Sequence, residues 1–91
     1  MKYMTTKLLV DFLTKQDEWG YNRQIDPAAV RAVINRHPAK TRYPVQFVMA
    51  HEHQAGVPVE PHYRCLLVLD GKGGSAMIDM PVLYYDSLPY A

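Results

Sequence analysis

The residues best suited to chemistry are crowded into one stretch of the chain. Every histidine and the single cysteine fall between positions 37 and 65: His37, His51, His53, His62 and Cys65. Imidazole nitrogen and thiolate sulfur are the donors that zinc prefers. His51 and His53, two apart on an extended chain, project to the same side and so present two imidazoles to one ion. A loop folding symmetrically about Pro58 would place His51 opposite Cys65 and His53 opposite Tyr63. Directly paired residues lie ~4.5–5.5 Å apart at Cα, close enough to share a tetrahedral zinc. His37 is a further candidate ligand from a neighbouring helix, and His62 is expected on the other side of the sheet. The same His51–Cys65 pair also suits a thiolate activated by imidazole, although no carboxylate stands on that strand face to orient the ring. The competing expectation is hydrogen-bonded core histidines beside a buried, inert thiol.

Longer motifs are incomplete. His51-Glu52 opens like the helical zinc-protease pattern, but Ala55 stands where its second histidine is required. Asp70-Gly71-Lys72-Gly73-Gly74 has the glycines and lysine of a phosphate loop, yet it leads into a strand rather than a helix. Turn chemistry accounts for it. No cofactor is expected.

Charge offers a second set of candidates. Ten Lys and Arg stand against nine Asp and Glu. From Pro27 through His51 there are four basic residues, Arg31, Arg36, Lys40 and Arg42, and no acid. That segment carries +4, and the remainder, with six basic and nine acidic groups, carries −3. The basic run suits an acidic protein surface or phosphates. A third set is aromatic: Tyr84, Tyr85 and Tyr90 crowd the C-terminus, and tyrosine gives large, rigid contact area at interfaces.

The elements that must position these groups follow from periodicity. Leu8, Leu9, Phe12 and Leu13 make an apolar stripe on a helix from about Lys7 to Gln16, capped by Thr5 or Thr6, with Gly20 as its stop and Trp19 folding back. Asp26 and Pro27 open a second helix whose inner face is Val30, Val33, Ile34 and His37, ending near Arg36 ahead of Pro38. After Pro44 the period becomes two. Val45, Phe47, Met49, His51 and His53 share one strand face. Residues 55–61 read as a loop, His62–Leu69 as a central strand, 70–74 as a hairpin turn, and Ala76–Tyr85 as a third strand, with Pro81 marking an edge. The expected fold is α+β, with two N-terminal helices packed on one face of a three-stranded antiparallel meander, α-α-β-β-β.

Ninety-one residues make one domain, 1–91, and 48% hydrophobic with 21% charged residues is a globular composition. Without a signal-like apolar stretch, a membrane-length run or a second cysteine, a cytoplasmic, reduced setting is expected. A helix-turn-helix is disfavoured, because about ten residues rather than three or four separate the helices. Three functions follow in order. The first is a small non-enzymatic interaction module, of the kind phages and mobile elements use to occlude a host protein, with an acidic or mixed partner surface and a homodimer through the open sheet face as its expected partners. The second is a nucleic-acid-binding or regulatory protein using residues 31–42. The third is a metal-binding or thiol enzyme using His51, His53 and Cys65.

Overall fold

Thr5 ends one element and begins the next. Lys2–Thr5 is a strand (β1), and the Thr5 hydroxyl accepts from Leu8 N at 3.2 Å, capping helix α1, Thr6–Glu18. Leu9, Phe12, Leu13 and Gln16 form its buried stripe at helical spacing. Trp19 caps the C-terminus and returns to Phe12, with ring centroids 5.5 Å apart, as expected from sequence. Helix α2, Pro27–Asn35, starts as its residues dictate: Asp26 accepts from Ala28 N, Pro27 takes the first turn and Val30 and Val33 turn inward. Strands β2 (Arg42–Gln54), β3 (Val57–Val68) and β4 (Ser75–Pro81) follow, and then helix α3, Val82–Ser87. The computed structural model describes the backbone of residues 1–19, 25–54, 57–70 and 74–90, with their side chains except at 52–54 and 57–59. The expected stop at Gly20 and the side chain of His53 lie outside the described residues.

The fold is α+β with an antiparallel sheet in the order β1-β2-β3-β4. Two features correct the expected α-α-β-β-β layout. The first is β1, which pairs Lys2 with Val45 through Thr5 with Arg42 and adds a fourth strand. The second is at the other end, where the strand expected through Tyr85 stops at Pro81 and gives way to α3. Pro81 has no N–H for a ladder. Beyond it, burial against α1 replaces pairing: Tyr84 meets Trp19 edge to face at 4.8 Å and Leu88 enters the core. The third helix is therefore C-terminal. The loop expected over 55–61 is also shorter, since β3 begins at Val57.

One sheet face meets the helices. Met4, Tyr43, Val45, Cys65, Leu67, Ile78 and Met80 join Leu9, Phe12, Leu13, Val30, Val33 and Leu88 in one core. The end of β3 is joined to the start of β4 by Leu69 N and Asp70 N donating to Gly74 O and Gly74 N donating to the Asp70 carboxylate, while residues 71–73 of the expected turn lie outside the described residues. Both core-facing and outward residues alternate along β1, β3 and β4 as a pleat requires.

The tail is tied down by a buried lysine. Lys2 Nζ donates to Asp86 O at 3.2 Å, in the last turn of α3, and to Leu88 O at 2.9 Å, just past its end, and lies over the Tyr90 ring at 4.5 Å. An ammonium is well matched to the carbonyls at a helix C-terminus, and the Tyr90 contact is a cation–π pair. Lys2→Met should strand both carbonyls and lower stability by about 1–3 kcal/mol. Thermal melting would show this, and chymotrypsin should then cut at Tyr85 and Tyr90 faster than in the wild type.

Candidate functional site

Among the described residues, the histidine–cysteine set is not brought together. Gln54 pairs with Val57, so the two strands do not fold about Pro58, and a β-bulge then turns His51 to the other face. Phe47 pairs with Cys65, but Met49 pairs with Arg64, so Val48 is an extra residue on β2 and the alternation reverses beyond it. Tyr43 and Val45 face the core, while Met49 and His51 face the opposite side. The expected face of Val45, Phe47, Met49, His51 and His53 is therefore split, and His51 stands opposite His62 rather than Cys65. Cys65 lies on the core face of β3 and His62 on the outer face, three residues apart. His37, at the end of α2, has its ring 6.1 Å from Tyr43. Among the described residues, no group of three or more His, Cys, Asp or Glu is placed to hold a metal ion.

Cys65 is fully buried, and its thiol pKa is pushed up from 9.0 to about 12, mainly by burial and then by the nearby Asp79 carboxylate. A buried thiol held in its protonated form is a poor nucleophile.

The outer sheet face carries a polar row that the sequence does not announce. His51 and His62 stack with centroids 5.4 Å apart and planes 13° from parallel. His62 is buried, and its Nδ1 lies 3.2 Å from Glu60 O. A carbonyl only accepts, so that contact puts a proton on Nδ1. Its Nε2 lies 3.9 Å from Asp79 Oδ2. Arg64 grips Asp79 with two hydrogen bonds, Nε at 3.0 Å and Nη2 at 3.3 Å, the paired geometry in which guanidinium and carboxylate bind best. The row ties β2, β3 and β4 together, since His51, His62, Arg64 and Asp79 come from all three.

The basic residues gather differently. The pairing registers put the end of β1, the start of β2, the end of β3 and the start of β4 at one end of the sheet. Arg36, Lys40 and Arg42 lie at that end, where α2 leads into β2, and Arg31 stands about 7.5 Å further along α2. All four are exposed. Among the described residues, Asp70 is the one acid paired with any of them, with its Oδ2 3.5 Å from Arg36 Nη2. Such an exposed pair contributes little to stability. Arg42 lies over the Tyr3 ring at 4.7 Å.

The tyrosines divide. Tyr84 is occupied within the fold: it packs on Trp19 and Phe12 and donates to Asp11 at 3.4 Å. Burial, with Asp11 adding to it, raises its pKa. Tyr85 meets Tyr63 at 5.2 Å and Phe47 at 6.3 Å. Tyr90 is 70% exposed. The tail thus joins the helices on the core face, and the sheet's outer face has Met49 and Met77 exposed. One further surface stands open: Gln46–Ala50, five consecutive strand residues, are all exposed, among them Phe47, Val48 and Met49.

No protein-family model, curated protein or solved structure matches this chain. Among the described residues, no helix is long and apolar enough to cross a membrane.

Proposed function

We infer that the protein is a small non-enzymatic interaction module whose basic end docks on an acidic surface of a protein partner. The observation that carries this reading is the grouping of Arg31, Arg36, Lys40 and Arg42, all exposed, around one end of the sheet, where among the described residues Asp70 is the acid that pairs with one of them. Charge of one sign, concentrated on one end of a nearly neutral molecule, orients an encounter and speeds it. The outward residues of α2 near these arginines, Ala28, Ala32 and Asn35, are short. They favour close approach of a protein surface over readout of base edges, which needs longer side chains. Accessory proteins that occlude a host protein work by such a surface, without chemistry of their own.

The test is capture from lysate of the native host by the wild type and by the double variant Arg31→Glu, Arg36→Glu. The wild type should retain a protein partner, with binding that weakens as salt rises. The double variant should lose it, while its thermal midpoint stays nearly unchanged because both side chains are exposed. Equal capture by the variant defeats the reading. Capture that disappears after nuclease treatment replaces it with nucleic-acid binding.

A further inference from the structure

The acid at the basic end is built into the sheet. Leu69 N and Asp70 N donate to Gly74 O at 2.7 and 3.2 Å and fix the chain just past β3 against the start of β4. The Asp70 carboxylate divides its two oxygens. Oδ1 accepts from Gly74 N at 3.0 Å, and Oδ2 stands 3.5 Å from Arg36 Nη2. A Cβ at position 74 would lie 2.9 Å from each of these oxygens, so glycine is what lets the carboxylate close on the backbone there. The two members of the ion pair are held unequally. The Asp70 side chain is 21% exposed and tied to Gly74, whereas that of Arg36 is 62% exposed and reaches Asp70 at the outer limit of hydrogen-bond distance. The acid is the fixed member, and the guanidinium is the one able to leave.

We propose that Asp70 is an internal stand-in for the partner's acid: it occupies Arg36 in the unbound protein and yields it when an acidic surface docks. The proposal rests on the basic-end reading and adds what regulates that site. A pair this exposed is weak, so it does not lock Arg36 away; it sets a threshold. An isolated anion that displaces Asp70 exchanges one carboxylate contact for another, and the exchange is close to even. A surface bearing several carboxylates also gains at Arg31, Lys40 and Arg42, which are paired with no acid among the described residues. The internal acid therefore favours a partner with clustered acids over a single anion, because it penalises the one contact that any anion could make. The acids that fit span at least the ~7.5 Å that separate Arg31 from Arg36 along α2.

The test is fluorescence anisotropy of a labelled oligoglutamate peptide, titrated with the full chain at about 0.1 M salt, where charges are screened beyond ~10 Å. The wild type should bind, and the double variant Arg31→Glu, Arg36→Glu should bind more weakly; this arm reads the basic end alone. Asp70→Asn removes the charge but keeps an oxygen for Gly74 N–H. Its thermal midpoint should stay near that of the wild type while its affinity rises about two- to fivefold, the effect of one exposed pair. Asp70→Ser is a second neutral variant and should show the same gain. In an Arg36→Gln background the gain should vanish, because it runs through that guanidinium. Asp17→Asn removes the same charge ~16 Å along α1 from Thr6, whose hydroxyl donates to Ala39 O beside Lys40, and should give no such gain. Unchanged or weaker binding by both Asp70 variants, with the double arginine variant still impaired, overturns the proposal and leaves the basic-end reading standing. A gain that persists with Arg36→Gln, or that Asp17→Asn matches, overturns it as a general effect of charge. Wild-type binding no stronger than that of the double arginine variant defeats the basic-end reading and this proposal with it.

Discussion

Phe12→Ala is expected to remove a large share of the protein's stability. Phe12 is fully buried on α1, and two other rings rest on it, Trp19 at 5.5 Å and Tyr84 at 6.5 Å. Truncating a buried Phe costs about 3–5 kcal/mol in lost transfer and an unfilled cavity. A domain of this size has only ~5–15 kcal/mol in total. The midpoint should therefore fall on the order of 20 °C, at ~4–8 °C for each kcal/mol. The loss has a particular structural meaning, because Phe12 is where α1 receives both its own C-terminus and α3. Phe12→Leu keeps much of the volume and should cost far less. The double variant Phe12→Ala, Tyr84→Ala should fall short of the sum of the singles by about 0.5–1.5 kcal/mol, the coupling of a ring pair. Thermal melts and urea titrations of the wild type and the four variants measure all of this. A Phe12→Ala midpoint within a few degrees of wild type, or strictly additive singles, would mean that α3 is not held by this contact.

The same contact explains what could and could not be read from the sequence. Helix α2 was legible because its determinants are local: Asp26, Pro27 and the spacing of Val30 and Val33 are enough. The edge role of Pro81 was legible for the same reason. β1 was not, because four residues are too few to show a period and their partners, Arg42–Val45, lie about forty positions away. Helix α3 was misread as strand because Ile78, Met80, Val82 and Tyr84 alternate by residue type. The alternation continues past Pro81, but the backbone does not, since Tyr84 and Leu88 gain more by packing on α1 and the core. The expected pairing of His51 fails for two reasons: Gln54 pairs with Val57, so the strands do not fold about Pro58, and Val48, the extra residue at the bulge, reverses the later side chains. The basic residues were legible as a run in sequence, but their grouping at one end of the sheet depends on the turn from α2 into β2.

Stability should also decline in alkali, at first through one atom. The Cys65 thiol titrates near 9.0 when solvated and near 12 in the fold, because burial disfavours the thiolate and Asp79 disfavours it further. Below pH 9 both folded and unfolded chains keep the proton, and the stabilisation is intact. Between pH 9 and 12 the unfolded chain releases the proton and the folded chain holds it, so each pH unit favours unfolding by about 1.4 kcal/mol. Above 12 the folded thiol ionises too and the slope ends. Tyr84 is raised from 10.0 in the same direction, by burial first and Asp11 second, so its own slope begins about one unit later. The interval from pH 9 to 10 therefore isolates Cys65. Urea titrations at pH 8, 9 and 10 should show the wild type losing stability across that interval, and Cys65→Ala, less stable at the outset, losing much less. Parallel profiles for the two proteins would mean that the thiol is solvated in the folded state, and the assignment of Cys65 to a sealed core rather than to chemistry would fail with it.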